Sequence, residues 1–552
     1  MAKVLQTAAM VVGGIALAVG TFGVGAGLAA GWTLAASVSA VATTASLGAA
    51  FAAAAALEAA GSLLEKKPSA PGNPMEWKAD PQAGIPYPMG EGYVGGQIVY
   101  RMAYGNKNKW QTVITVHGGG GPHQEFQKLY VDNVVRAIFP GGEVNLGGNS
   151  GNMFAATQLG LAPEPTNLNV APIDPYAWTA DCKLSGYAAS IITLKYDAKG
   201  SHTLTTTPQV GWYGRWARVY DPRRDSSYPG GSGTHRANDE STWEWSANPY
   251  LHALTWLIGR RANGHLVLGV GVSLKNVLVG QFVEGANIAD ANGWTMFGVA
   301  MSTDDKWDTL KKILQAGGAV PMRLGGQIGC VINTPRVSLA DITVDDIIGD
   351  VSVQGTSSRK DRINAIVPRY MGRQSVTTQD SDGNLITSDT YALLPAAPIV
   401  VAEYVTFDGG KTRQREVEYS FVQSFDPDLK QVGQLARYDL ENAREFGPIS
   451  LPLRLRWLGY RPGDVVTVTV DEDGLHGQAI LLMNRQLDPQ TGTVTMTARS
   501  ETATKHAFAL AQTATPPETP SVALPDGTNT YGSTADTTVI TADTDATTAD
   551  EG

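Results

Sequence analysis

Hydrophobic and polar positions follow three different patterns along this chain. Residues 4–57 form 54 consecutive positions without a charge, mostly Ala, Gly, Val and Leu. A helix crossing hydrocarbon needs about 20 apolar residues, so the stretch is long enough to cross twice, with a break at Gly31-Trp32. Gly23 and Gly27 stand at the spacing that lets apolar helices approach closely. Ala18, Gly23, Gly27, Trp32 and Val41 mark this segment, and three readings fit it. It is a helical plug buried in an assembly, a membrane-inserting segment, or a secretory signal. Lys3 alone is a poor positive leader, and the run far exceeds the roughly 7–15 residues of a signal core.

A Pro-rich linker is expected over residues 66–92, which hold six prolines. Strand patterning follows. Residues 96–104 and 110–117 flank the turn Gly105-Asn106-Lys107-Asn108 and predict a hairpin. Residues 464–470, 478–485 and 493–499 predict an antiparallel meander, with Val494, Met496 and Ala498 on one face. Three helices are marked. Asn248 caps one, with Pro249 at its first position and Gly259 after it. A second runs over 304–316 with Trp307, Leu310, Ile313 and Leu314 on one face, and stops at Gly317. A third opens at Asp426-Pro427 and carries Val432, Leu435, Ala436, Leu440 and Ala443. Scattered helices among many antiparallel strands predict a mainly β or α+β multidomain chain. Its divisions are expected at 1–65, 66–92, 93–400, 401–510 and 511–552. In residues 513–552, twelve of 40 are Thr, seven are acidic and none is basic, which predicts a disordered tail.

Composition narrows the function. The formal charge of −10 argues against a basic face for nucleic acid, so no sequence-specific nucleic-acid binding is expected. Two cysteines, Cys182 and Cys330, exclude a disulfide-stapled scaffold. They read as buried free thiols, with a single bridge as the alternative.

The candidate chemistry is thin. His117-Gly118-Gly119-Gly120-Gly121-Pro122 has the look of an esterase oxyanion loop, but the chain contains no G-x-S-x-G pentapeptide to supply a nucleophile. The loop reads instead as a Gly-rich turn. His117 and His123 are too few for a zinc site. Asp380-Ser381-Asp382-Gly383-Asn384 lacks the later ligands of a calcium loop, with Leu385 and Tyr391 where Gly and an acid are needed. Asp345, Asp346 and Asp350 read as a solvated loop face. Trp243 and Trp245, two apart near Asp221-Pro222-Arg223, read as packing residues, with sugar binding as the alternative. Arg223 is expected on an indole or a carboxylate. No catalytic residue, metal or cofactor is assigned.

Several segments, in order, resemble a phage tail-tip family. They are Ile85-Pro86-Tyr87 and residues 93–100; the turn with Gly118, Gly119 and Pro122, then 129–133; Asp221, Pro222 and Arg223; and Trp243, Trp245, Asn248 and Pro249. Residues 284–290, 361–365 and 461–466, with Gly463 and Asp464, follow. Together they resemble the host-specificity or tip attachment protein J of lambda-like tails and its relatives in gene transfer agents, over roughly 85–499. The resemblance implies a virion protein at the tail tip, a homotrimeric hub of β-barrel-like domains with inserted α+β domains. It implies distal tail and tip proteins and the tape measure protein as partners, and a part in host attachment and genome ejection. The apolar start adds the host envelope membrane as a partner at ejection. The other readings are a membrane-anchored subunit of a tail-like secretion or gene-transfer apparatus, and a tail-associated glycan hydrolase, which no motif marks.

An uncharged run of this length must be hidden from water. Ala18→Asp and Val41→Asp are therefore expected to permit assembly and block DNA delivery if the segment inserts in a bilayer. They are expected to block assembly itself if it is a plug. Normal infectivity with both charges would overturn both readings.

Overall fold

The computed structural model describes residues 84–146, 151–170, 178–196, 204, 207–262, 264–355, 362–379 and 385–517. The apolar segment marked by Ala18, Gly23, Gly27, Trp32 and Val41 lies outside them, as does the tail beyond residue 517. Among the described residues no helix is long and apolar enough to cross a membrane.

The chain is mainly β, in several sheets with helices between them. The largest sheet has ten strands. Its spine joins Phe297–Met301, Pro86–Val94, Val210–Val219, His123–Val131, Val134–Arg136, Leu385–Pro395 and Ala365–Gln379. Gln414–Gln423 runs parallel beside Ala365–Gln379, and the short strand Glu244–Trp245 is added beside Val210–Val219. The opening strand starts at Pro86, inside the stretch expected to be linker. Its residues Pro86, Tyr87 and Met89 are buried, so they belong to the core. Strand pairing survives these prolines because each lacks only one donor in a long ladder.

A second sheet of four strands orders Gln97–Tyr104, Trp110–Gly119, Tyr187–Lys195 and Met153–Leu159. The expected hairpin around Gly105 is its first pair. Both faces of this sheet are covered. Ile192, Leu194, Met153 and Ala155 share a core with Val94, Leu129, Trp212 and Phe297 of the large sheet. Ile114, Val116, Ala189 and Ile191 meet Leu168 and Val170 on the other side. Burial on both faces explains why 187–195 reads as a continuous apolar run rather than an alternation.

The third sheet has six strands, in the order Asp341–Ile342, Val465–Val470, Leu475–Asp488, Thr493–Ser500, Ile449–Leu453 and Ser352–Val353. The expected meander is its centre. Thr493–Ser500 alternates strictly, with Val494, Met496 and Ala498 buried. These residues share one core with Ile342, Leu451, Val466, Ile480 and Trp457. A sheet that buries one face against its own residues has to curl. The pairing among the described residues runs from edge to edge without closing into a barrel. Its two edge strands come from residues 341–353, so the expected division at 400/401 does not separate the sheets.

Among the described residues six α-helices accompany the sheets: α1 (Pro249–Ile258), α2 (Val279–Asn292), α3 (Lys306–Ala316), α4 (Ala402–Phe407), α5 (Lys430–Asn442) and α6 (Thr504–Leu510). The stripes expected on α3 and α5 face the main core. α5 begins at Lys430, four residues after Asp426, because Leu429 adopts φ 40° and breaks the helical path. α2 contains the motif at 284–290, a segment for which the sequence pattern predicted no element. Asp346, expected on a solvated loop, is buried, where its carboxylate accepts from Thr343 N at 3.2 Å and pairs with Arg456. Cys330 is buried and Cys182 half-buried, both as free thiols.

Leu451 is fully buried in the curled sheet. Leu451→Ala is expected to cost about 2–5 kcal/mol, because the rigid sheet cannot collapse onto the cavity. Urea unfolding checks this through a lower midpoint with little change in slope.

Candidate functional site

Three of the motif segments meet at one place, the start of α1. Every residue from Pro249 to Leu257 in this helix is buried. A helix buried all round leaves its terminal backbone groups without water, so each needs a protein partner. At the N-terminus, Asn248 Oδ1 accepts from Tyr250 N at 3.0 Å. At the C-terminus, Gly259 N donates to Thr255 O at 2.8 Å. Val270 N and Val272 N donate to Trp256 O and Leu257 O at 2.9 and 2.8 Å. Gly269 permits that approach, because a Cβ there would lie 2.5 Å from Trp256 O.

Asn248 is itself held. Its Nδ2 donates to Ala286 O at 2.9 Å and to Asp290 Oδ1 at 2.7 Å, both on α2. The other Asp290 oxygen accepts from Arg223 Nη1 at 2.8 Å, and the same nitrogen donates to Asn287 Oδ1 at 2.8 Å. Arg223 then grips Asp221 with a fork: Nε to Oδ1 at 2.9 Å and Nη2 to Oδ2 at 2.9 Å. Asp221 also caps the short turn Pro222–Arg224 by accepting from Arg223 N at 3.0 Å. Three expected segments thus form one line, Asp221–Arg223–Asp290–Asn248. Two-point contacts of this kind fix geometry as well as charge. Hydrogen bonding to Asp221 raises the Arg223 guanidinium above its usual range, against the effect of burial. Of the two expected partners for Arg223, the structure selects the carboxylate.

The two tryptophans separate. Trp243 is buried in the main core, with Nε1 donating to Arg236 O at 2.8 Å and the Arg260 guanidinium 5.0 Å from its ring. Trp245 is half-buried, its ring 4.7 Å from the Arg215 guanidinium. Arg215 is tied in turn to Glu91 at 2.9 Å.

Gly118, Gly119 and Pro122 lie away from this junction, at the rim of the four-stranded sheet. A Cβ on Gly118 would come within 2.6 Å of His123, one on Gly119 within 2.5 Å of Ile85, and one on Gly121 within 2.3 Å of Gly160 O. The run of glycines is a surface against which the chain packs. His117 bonds Ser190 Oγ at 2.8 Å, and His123 bonds Gly119 O at 3.3 Å. Burial pushes both imidazoles down to about 3, so both are neutral. Gly463 and Asp464 form a turn before the curled sheet, where Asp464 Oδ2 accepts from Arg461 N at 2.8 Å and Gly463 adopts φ 95°.

Sequence reading missed the ring of polar residues beside Asp221. Asp225 is buried and accepts from Tyr220 Oη at 2.8 Å, Ser227 N at 2.7 Å, Ser227 Oγ at 2.6 Å and Arg236 Nη1 at 3.0 Å. His235 is also buried, and its Nδ1 accepts from Asp221 N at 3.2 Å. The one signal in the sequence was the Asp-x-Ser spacing at 225–227, repeated at 239–241, where both aspartates cap turns. Among the described residues no group of three His, Cys, Asp or Glu is placed to hold a metal ion.

No protein-family model matches the chain, and no curated protein matches it. Among solved structures it is similar to a chain of the virion of the native gene transfer agent particle, at 14% identity over 78% of this chain and 87% of that one, with a TM-score of 0.46. It is similar to the 43 kDa tail protein of prophage MuSo2 from Shewanella oneidensis, at 11% identity over 70% and 97%, with a TM-score of 0.26. A tail protein from Neisseria meningitidis MC58 gives 13% identity over 72% and 99%, with a TM-score of 0.26. Likenesses at these identities and scores assign no family.

The Asp225 carboxyl has a testable signature. Burial pushes it up, but the bonds from Ser227 and Tyr220 and the charge of Arg236 outweigh burial and hold it below the ordinary carboxylate range. A carboxyl lowered in the folded state stabilises fully above its unfolded value, and that stability is lost as pH falls through the folded value. Asp225→Asn is therefore expected to lower the melting temperature at pH 7. It is also expected to lose less further stability than the parent when pH drops below about 4. Melting curves across pH check this, and parallel acid limbs for the two proteins would contradict it.

Proposed function

We propose that this chain is a structural protein of a long virion tail, acting as the hub at the tail tip. The observation that carries the proposal is how the segments resembling tail-tip proteins are used. Asp221, Arg223, Asn248 and the 284–290 motif are engaged with one another around the start of a buried helix. Groups committed in this way hold a scaffold in one geometry, and a hub needs that rigidity more than it needs a reactive residue. We assign the chain no catalytic step. As a hub it associates as a homotrimer, since closed rotational symmetry lets identical subunits end a tube without open growth. Its partners are the distal tail and tip proteins and the tape measure protein. In this reading it takes part in host attachment and genome ejection, and the apolar start meets the host envelope membrane at ejection.

Antibody-gold labelling of purified virions tests the location, with label expected at the distal end of the tail. Native mass measurement of the full chain together with its tip neighbours tests the stoichiometry, with three copies expected. Label on the head, or a monomer in the presence of those neighbours, would overturn the hub reading.

A further inference from the structure

The chain enters the described fold beside an open cavity of about 580 Å³. The space lies where the start of α3 meets the hairpin of Ala319–Leu324 and Gln327–Ile332. Its size falls within the roughly 300–1,000 Å³ of ligand-sized pockets. Thr303 stands on its wall. Gly84, the first described residue, lies against Thr303, since a Cβ on Gly84 would come within 2.7 Å of Thr303 Oγ1. The next residue is pinned as well. Ile85 N donates to Ser302 Oγ at 2.9 Å, and Ser302 N donates to Ile85 O at 2.9 Å. The residues before Gly84 therefore start beside the cavity.

The wall holds unanswered positive charge. The Arg323 guanidinium lies 4.2 Å from the centre of the Trp307 ring, a contact that positions it. Arg323 is exposed, so the side of the guanidinium away from the ring is open. Among the described residues neither Arg323 nor Lys306, the other cation of the wall, meets a carboxylate. The acids of the wall are engaged with backbone. Asp304 Oδ2 accepts from Met301 N at 2.8 Å. Asp305 Oδ1 caps α3 by accepting from Trp307 N and Asp308 N at 2.9 and 2.8 Å. Each of the two keeps a second oxygen. Half-buried Val270, Trp307 and Ile328 supply apolar surface. A fitting occupant brings carboxylates for the two cations, a flat apolar group for the open side of Arg323, and a cation for Asp304 or Asp305.

The chain carries that combination immediately upstream. Pro74-Met75-Glu76-Trp77-Lys78-Ala79-Asp80-Pro81 places two acids and one base around a single tryptophan. Trp77 stands seven residues before Gly84, a reach of up to about 23 Å at about 3.3 Å per residue. Pro74 and Pro81 restrict the free backbone, which lowers the cost of ordering it on a surface. An indole on the open side of Arg323 sandwiches the cation against Trp307, and Glu76 and Asp80 answer the two positive charges.

We infer that this cavity is filled by residues 74–81 of the same chain, with Trp77 as the anchor and Arg323 as the group that receives it. The inference rests on the cavity, the point of entry and the charges, and it holds whether or not the chain is a tail hub.

Limited trypsin digestion of the full-length protein tests it, with peptide masses reporting the cut after Lys78. The reference is the same cut in a synthetic peptide spanning residues 70–84. Cleavage of a docked segment follows the fraction of time it is free, so the expected rate in the protein is at least about tenfold below that in the peptide. Arg323→Gln changes an exposed side chain, Trp77→Ala lies outside the described fold, and both variants should keep the parent's melting temperature. Each is expected to remove most of the protection when measured against its own matched peptide. A segment held by its own chain stays protected on about hundredfold dilution. The inference is overturned if Lys78 is cut as fast in the protein as in the peptide, or if protection survives unchanged in both variants. Protection that disappears on dilution would overturn it too, because the occupant would then come from another copy.

Discussion

The burial of α1 on every side is the constraint on which the centre of this molecule depends. A ten-residue helix with nine buried residues exposes no face to water, so its polar groups have to be met by other parts of the chain. His252 Nε2 bonds Ser246 O at 2.8 Å, and Thr255 Oγ1 accepts from Tyr220 N at 3.1 Å. The backbone of 270–272 closes the C-terminus, and Asn248 closes the N-terminus. Each demand draws in a segment remote in sequence, and together they set where the large sheet, α2 and the Asp-rich turns sit.

The same logic explains the distribution of charge. Arg260, directly after α1, is buried at 1% exposure, with Nη1 donating to Arg218 O at 2.7 Å and Nε 3.1 Å from Glu240. Further along, Lys505 is buried among Glu501 at 2.6 Å, Asn442 at 3.1 Å and Glu445 at 3.5 Å, tying α6 to α5 and the curled sheet. Asn364 knots another junction, donating to Asp408 at 3.0 Å and to Lys411 O at 2.9 Å. Buried ions are costly unless paired and hydrogen-bonded. Arg260 and Lys505 stand at junctions between elements, each paired with carboxylates from other segments of the chain. That favours a rigid scaffold over a deformable one.

The chain's own pattern determined the local elements. Strict alternation over 493–500 specified a strand with one buried face. The Asn248-Pro249 pair and Gly259 specified the limits of α1, and the stripes of α3 and α5 specified their inward faces. The ordered motif segments were also legible as a set. These signals are local, arising from side-chain period, capping chemistry and turn residues, and they act before any tertiary contact forms.

The tertiary structure decided what the sequence left open. Residues 86–92 looked like linker because prolines mark turns, yet pairing with 297–301 and 212–215 makes them a central strand. α2 went unseen because its apolar stripe is weak and Gly285 interrupts it. A Cβ there would lie 2.2 Å from Tyr250, so the glycine serves helix contact rather than helix propensity. His235 and Asp225 carried no motif, since their roles come from residues brought together across the fold. Most of all, the sequence showed Asp221, Asn248 and Asp290 as separate marks. Only packing against α1 joined them into one line of hydrogen bonds, because burial of the helix removes water as the alternative partner.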